Sequence, residues 1–170
     1  MNGTPCGCGQ KGCFEKYASA NGLVLVTKQY LEDHPEEEST LRTLEVISAK
    51  DVMDAAKAGD AAAMHCVDVA AEALGVCCVN LCRILDPELI VFSGGLALAG
   101  DFFLDKIKER FSHYHWTIQD PSCELVISES GEKAGMIGAA AVARMDYLKC
   151  VVSWNKQLTM AFLILSYRKG

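Results

Sequence analysis

Three cysteines stand close together near the start of the chain, in Cys6-Gly7-Cys8-Gly9-Gln10-Lys11-Gly12-Cys13. The glycines between them let the backbone fold back so that three thiols converge, and thiolates are the ligands zinc takes in tetrahedral geometry. A structural zinc usually has four protein ligands, and this run offers three. The same spacing is open to a Cys6–Cys13 disulfide, or to an incidental grouping of thiols in a loop. Glu15 follows directly. Taken alone, it reads as a solvated carboxylate in the first turn of a helix, where the helix dipole favours negative charge. Further along, the apolar run Leu89-Ile90-Val91-Phe92-Ser93 ends in Gly94-Gly95 and reads as a buried strand with a glycine turn at its carboxyl end.

The other cysteines call for a different reading. Cys66, Cys77, Cys78 and Cys82 lie in an Ala/Val/Leu-rich stretch, where a thiol serves as a small buried hydrophobe. The total of nine is odd, and the amino-terminal residues show neither the charged nor the apolar segment of a secretory signal, so a cytoplasmic protein with reduced thiols is expected. Sixteen Lys+Arg against 22 Asp+Glu give a net charge of -6, which leaves no basic footprint for a phosphate backbone and argues against nucleic acid as a partner. Met160 to Leu165 is an apolar run too short to cross a bilayer, and no membrane association is expected. With 51% hydrophobic and 22% charged residues the chain has material for a core, and its 170 residues suit one domain or one lobe of a larger protein.

Positioning these groups requires elements, and the pattern supplies them. Apolar spacing from Phe14 to Asp33 predicts a helix that His34-Pro35 ends. Ser48-Ala49-Lys50-Asp51 resembles a capping box with Asp in place of Glu, opening a short helix that closes near Gly59. Asp60 can cap the long pattern Ala61 to Leu85, which is apolar on most sides and stops at Asp86-Pro87. A buried strand over 88–93 comes next, then a helix from Phe102 to about His113 capped by Asp101, a second strand over Cys123 to Ser128, and a small-residue helix from Ala134 to Ala143. Helices alternating with short apolar strands predict an α/β layer with strand ends facing a cleft.

The run Cys6-Gly-Cys8-Gly-Gln-Lys-Gly12-Cys13-Phe-Glu15-Lys-Tyr-Ala18-Ser19-Ala20 resembles the zinc motif of the ROK family (repressors, open reading frames and kinases), and within it the glucokinase branch. The likeness continues through Asp86 to Gly95 and Gly135-Met136-Ile137-Gly138-Ala139-Ala140, so it covers the chain from about Pro5 to Arg144. The resemblance implies a partial actin-like ATPase (sugar kinase/hsp70-like) fold, mainly its carboxyl-terminal lobe, over residues 1–144. Within it lie a zinc loop at 5–15 and a nucleotide-side strand and glycine turn at 86–95, and a divergent tail follows over 145–170. It also implies that Cys6, Cys8 and Cys13 bind a structural zinc together with an upstream histidine, that Glu15 hydrogen-bonds sugar hydroxyls, and that Gly94 and Gly95 line the site of ATP with Mg.

The family's Asp-x-Gly phosphate hairpin, its Asn-Asp pair bearing the catalytic base and its Glu-x-Gly-His residues have no counterpart here, so no residue is assigned as the general base. None of His34, His65, His113 and His115 lies upstream of the cysteines. The resemblance thus implies the carboxyl-terminal part of an ATP-dependent hexose kinase, inactive by itself. The alternatives are the sugar-sensing part of a ROK repressor, and a zinc-stabilised module that forms a homo-oligomer through its apolar helices.

Overall fold

The computed structural model describes residues 3–115, 123–129, 131–133 and 135–148. Two units divide the chain, Met1–Gly131 and Glu132–Gly170. The first carries, in order, helices α1 (Glu15–Ala18), α2 (Ala20–Asp33), α3 (Ala49–Lys57) and α4 (Ala61–Leu85), strand β1 (Leu89–Phe92), helix α5 (Asp101–Tyr114) and strand β2 (Glu124–Ile127). β1 and β2 pair in parallel, with Leu89 opposite Glu124 and Phe92 opposite Ile127. In the second unit, residues 135–148 are helical, further than the expected 134–143, and the rest of the 145–170 tail lies outside the described residues.

α4 is the centre of the first unit and packs on α1, α2, α3 and α5. Its Ala62, Ala63, Cys66, Val67, Ala70 and Ala71 are buried together with Leu23, Val52, Ile107 and Phe111. Each large apolar side chain so enclosed contributes roughly 1.5–3 kcal/mol. α4 has the length and apolarity of a membrane-crossing helix, and half of its most apolar stretch is buried among its neighbours. Cys66 and Cys78 are buried as small hydrophobes, and burial pushes the Cys78 thiol up to about 12. Cys77 and Cys82 are half-buried.

The caps follow the sequence closely. The Ser48 hydroxyl accepts from the Asp51 backbone N–H, and the Asp51 carboxylate accepts from the Ser48 N–H, closing the box. Asp60 caps α4 through the Ala63 N–H at 3.0 Å while its other oxygen accepts from the Ser39 hydroxyl and from the backbone and hydroxyl of Thr40. Burial opposes the Asp60 charge, and these donors outweigh it, holding the carboxyl below its usual range.

Three expectations need correction. The strand expected to be buried over 88–93 is β1, in which Leu89 and Val91 are exposed, because among the described residues only β2 pairs with it. The helix expected over Phe14–Asp33 is broken at Ser19, whose backbone is extended and whose hydroxyl accepts from the Gly22 N–H to start α2 afresh. Gly22 permits the break, because a Cβ there would sit 2.6 Å from the carbonyl carbon and oxygen of Lys16. Asp101 does not cap α5. Gly100 takes the capping position without a side-chain bond, and Asp101 sits in the first turn, where it favours the helix through the dipole alone.

Candidate functional site

The cysteine loop is a small hairpin. Pro5 bridges to Lys11, the Cys6 N–H donates to the Gln10 carbonyl at 2.8 Å, and the Gly12 N–H donates to the Thr4 carbonyl at 2.9 Å. This backbone brings the Sγ atoms of Cys6, Cys8 and Cys13 all within 4.8 Å of one another, with Cys8 and Cys13 at 3.4 Å. Two sulfurs bound to one tetrahedral zinc at ~2.3 Å each lie about 3.8 Å apart, so the three thiols fit three corners of such a site. A hydrogen bond from the Gln10 backbone and contacts with the other two thiols lower the pKa of Cys8. Cys13, sharing its proton with Cys8 and then Cys6, is raised to about 11. The shared hydrogen bonds thus shift Cys8 and Cys13 in opposite directions.

No histidine joins the cluster among the described residues. His34 and His65 stack on Tyr30, with ring centroids 4.2 and 4.4 Å away, and His113 and His115 belong to the end of α5.

The loop is fastened to the helix that follows it. The Tyr17 hydroxyl donates to the Thr4 hydroxyl and accepts from the Thr4 N–H at 3.0 Å, which lowers the Tyr17 pKa. Tyr17 was not singled out by sequence, since only folding of the loop brings Thr4 to it. Glu15 opens α1 two residues after Cys13 and is about half exposed. Its Oε1 accepts from the Ser19 hydroxyl at 3.1 Å, and its Oε2 lies 3.8 Å from the Lys16 Nζ. Ser19 therefore orients Glu15 and caps α2 at once, a role that its place within an Ala-Ser-Ala run does not announce.

The glycine turn lies at the end of β1. Gly94 has φ 92 and ψ -171, a conformation that favours glycine, and it leads into a short turn of 3-10 helix at Gly95–Ala99. The Lys57 Nζ fastens that turn by donating to the Ala99 carbonyl at 3.1 Å. A Cβ on Gly95 would lie 3.3 Å from the Ala20 Cβ, so the turn packs against the first residue of α2. Three expected features are thereby joined in one path: Cys13 leads to Glu15, Glu15 to Ser19, and the start of α2 to Gly95. Beneath the turn is an apolar cavity of about 60 Å³ lined in part by Ala18, Phe92, Leu96 and Phe103. Ligand sites measure ~300–1,000 Å³, so this hollow holds neither a sugar nor a nucleotide, and the turn acts as a wall of a cleft at most.

A mixed α/β lobe that presents a three-thiol hairpin, a carboxylate beside it and a glycine turn after a parallel strand is the arrangement that the resemblance in sequence implies. The chain matches the ROK family over residues 1–146, and it belongs to that family. It is 40% identical over 146 residues to a glucokinase of Halalkalibacterium halodurans, covering 85% of this chain and 44% of that protein. A ROK family glucokinase from Streptomyces griseus, solved with glucose and AMPPNP, superposes with a TM-score of 0.75 at 31% identity, covering 85% of this chain and 48% of the other. A xylose repressor of Caldicellulosiruptor bescii is 26% identical over 144 residues, 84% of this chain and 36% of the repressor. The chain thus spans about half the length of the curated relatives it matches, or less.

Proposed function

We propose that this chain is the carboxyl-terminal part of an ATP-dependent hexose kinase, which transfers the γ-phosphoryl group of ATP to a sugar hydroxyl. The observation that carries this reading is the likeness to the Streptomyces griseus glucokinase, whose solved complex holds glucose and AMPPNP. Glu15 accepts hydrogen bonds from sugar hydroxyls, and its carboxylate suits two neighbouring donors. Gly94 and Gly95 form the wall on the side of the Mg-nucleotide. Cys6, Cys8 and Cys13 would hold a zinc ion, which would cross-link the hairpin and, through Tyr17 and the start of α1, steady the position of Glu15. The reducing cytoplasm suits such thiolate ligands.

Phosphoryl transfer needs a base to orient the acceptor hydroxyl and a hairpin to hold the γ-phosphate. Neither is assigned to a residue of this chain, so the chain alone should be inactive. A coupled assay of ATP-dependent phosphorylation of glucose, mannose and N-acetylglucosamine tests the reading. Turnover is expected only after the chain is joined to the amino-terminal half of a ROK glucokinase, and a joined protein that folds and binds sugar without turnover would count against it.

Likeness to the xylose repressor supports a second reading, a sugar-sensing part of a regulator. Under that reading the joined protein binds sugar and shows no ATP-dependent turnover.

A further inference from the structure

The 3.4 Å contact between the Cys8 and Cys13 sulfurs has a use besides metal binding. Cys8 is exposed at the tip of the hairpin, open to a reagent from solution, while Cys13 is half-buried at its base. A disulfide needs the sulfurs at ~2.05 Å, so closure asks for a movement of about 1.4 Å. The loop between them contains Gly9 and Gly12, both at positive φ, and can take up that movement without strain on a side chain. Cys66 and Cys78, by contrast, are buried in α4, where no oxidant reaches them.

We propose that the cysteine hairpin is a redox-controlled metal latch: in the metal-free protein Cys8 and Cys13 form a disulfide that removes two of the three metal ligands, and bound metal prevents it. The inference rests on the metal reading given above. With oxidised glutathione as the oxidant, the Cys8 thiolate attacks one sulfur of the glutathione disulfide, forming a mixed disulfide and releasing one glutathione thiolate. The Cys13 thiolate then attacks the Cys8 sulfur, the Cys8–glutathione bond breaks, and a second glutathione thiolate leaves. The two cysteine sulfurs are oxidised, glutathione disulfide is reduced to two molecules of glutathione, and the two cysteine thiol protons pass through solvent to the two departing glutathione thiolates.

The test uses the full chain, reduced, stripped of metal with a chelator and then exposed to oxidised glutathione with or without prior loading with zinc. Thiols are counted after denaturation, and the linked peptides are mapped by mass spectrometry. The metal-free chain should lose two of its nine thiols, with the link mapped to Cys8 and Cys13 and zinc affinity reduced at least a hundredfold. Zinc-loaded chain should keep all nine. Cys8→Ser and Cys13→Ser should abolish the link, and Cys6→Ser should retain it, each judged on protein whose circular dichroism matches the unaltered chain. If zinc binds tightly to the reduced chain but no Cys8–Cys13 link forms, or the link falls on another pair, the latch is wrong and the metal reading stands. If zinc fails to bind the reduced chain at all, the metal reading falls and the latch falls with it.

Discussion

Glu15 carries more of the proposed chemistry than any other side chain of this lobe, and its surroundings show how it is prepared. One oxygen already accepts from a hydroxyl, that of Ser19, and the other stays within reach of Lys16. In a complete two-lobed protein, Glu15→Gln keeps the shape and one acceptor while removing the charge, so charge-assisted bonds worth roughly 1.5–3 kcal/mol each are weakened. The KM for sugar should rise tenfold or more while that for ATP stays within about twofold, as steady-state kinetics would show. An unchanged sugar KM with a raised ATP KM would place Glu15 outside the sugar site. At Asp60 the expected effect is on stability. Its carboxylate ties the Ser39–Thr40 turn to the start of α4, and Asp60→Ala should cost about 1–2 kcal/mol, read from urea midpoints. Because the folded pKa of Asp60 lies below its ordinary 3.8, its contribution is present above about pH 4 and is lost as the pH falls through the folded value. Asp60→Asn should therefore flatten the acid limb of the stability profile and leave its shape above pH 5 unchanged, although the whole curve lies lower.

At the scale of elements, the break between α1 and α2 is the feature on which the site depends. It brings the backbone of α1 against the start of α2, and Gly22 is what lets the Lys16 carbonyl approach. Gly22→Ala should destabilise the protein by about 1–3 kcal/mol, the usual range for forcing a methyl group into closed packing, and thermal melts would report it. A wild-type melting temperature in that variant would mean that the two helices can separate without loss. The break also shows how far the sequence could be read. Ser48, Asp51 and Asp60 act on donors within three residues, so their caps were visible in the local pattern. Convergence of Cys6, Cys8 and Cys13 was visible for the same reason, since glycines and close spacing leave few other arrangements. Ser19 was hidden, because the apolar periodicity runs on through it and its capping role depends on how closely α1 comes to Gly22. Contacts between distant residues, such as Tyr17 with Thr4 and Gly95 with Ala20, left no signal in local spacing.

For the molecule as a whole, the chain covers 44% of the length of the Halalkalibacterium halodurans glucokinase, and its described sheet has two strands. Parallel sheets are ordinarily covered on both faces, yet β1 leaves Leu89 47% and Val91 51% exposed, and among the described residues it pairs only with β2. An open strand edge beside uncovered apolar side chains is a template for further strands. The consequence is colloidal: the isolated lobe should scatter light increasingly with concentration, and its apparent melting temperature should drift as molecules meet edge to edge. Val91→Lys places a charge on that face and should keep the lobe dispersed at concentrations where the unaltered chain turns turbid. Equal turbidity from both would locate the self-association elsewhere on the surface.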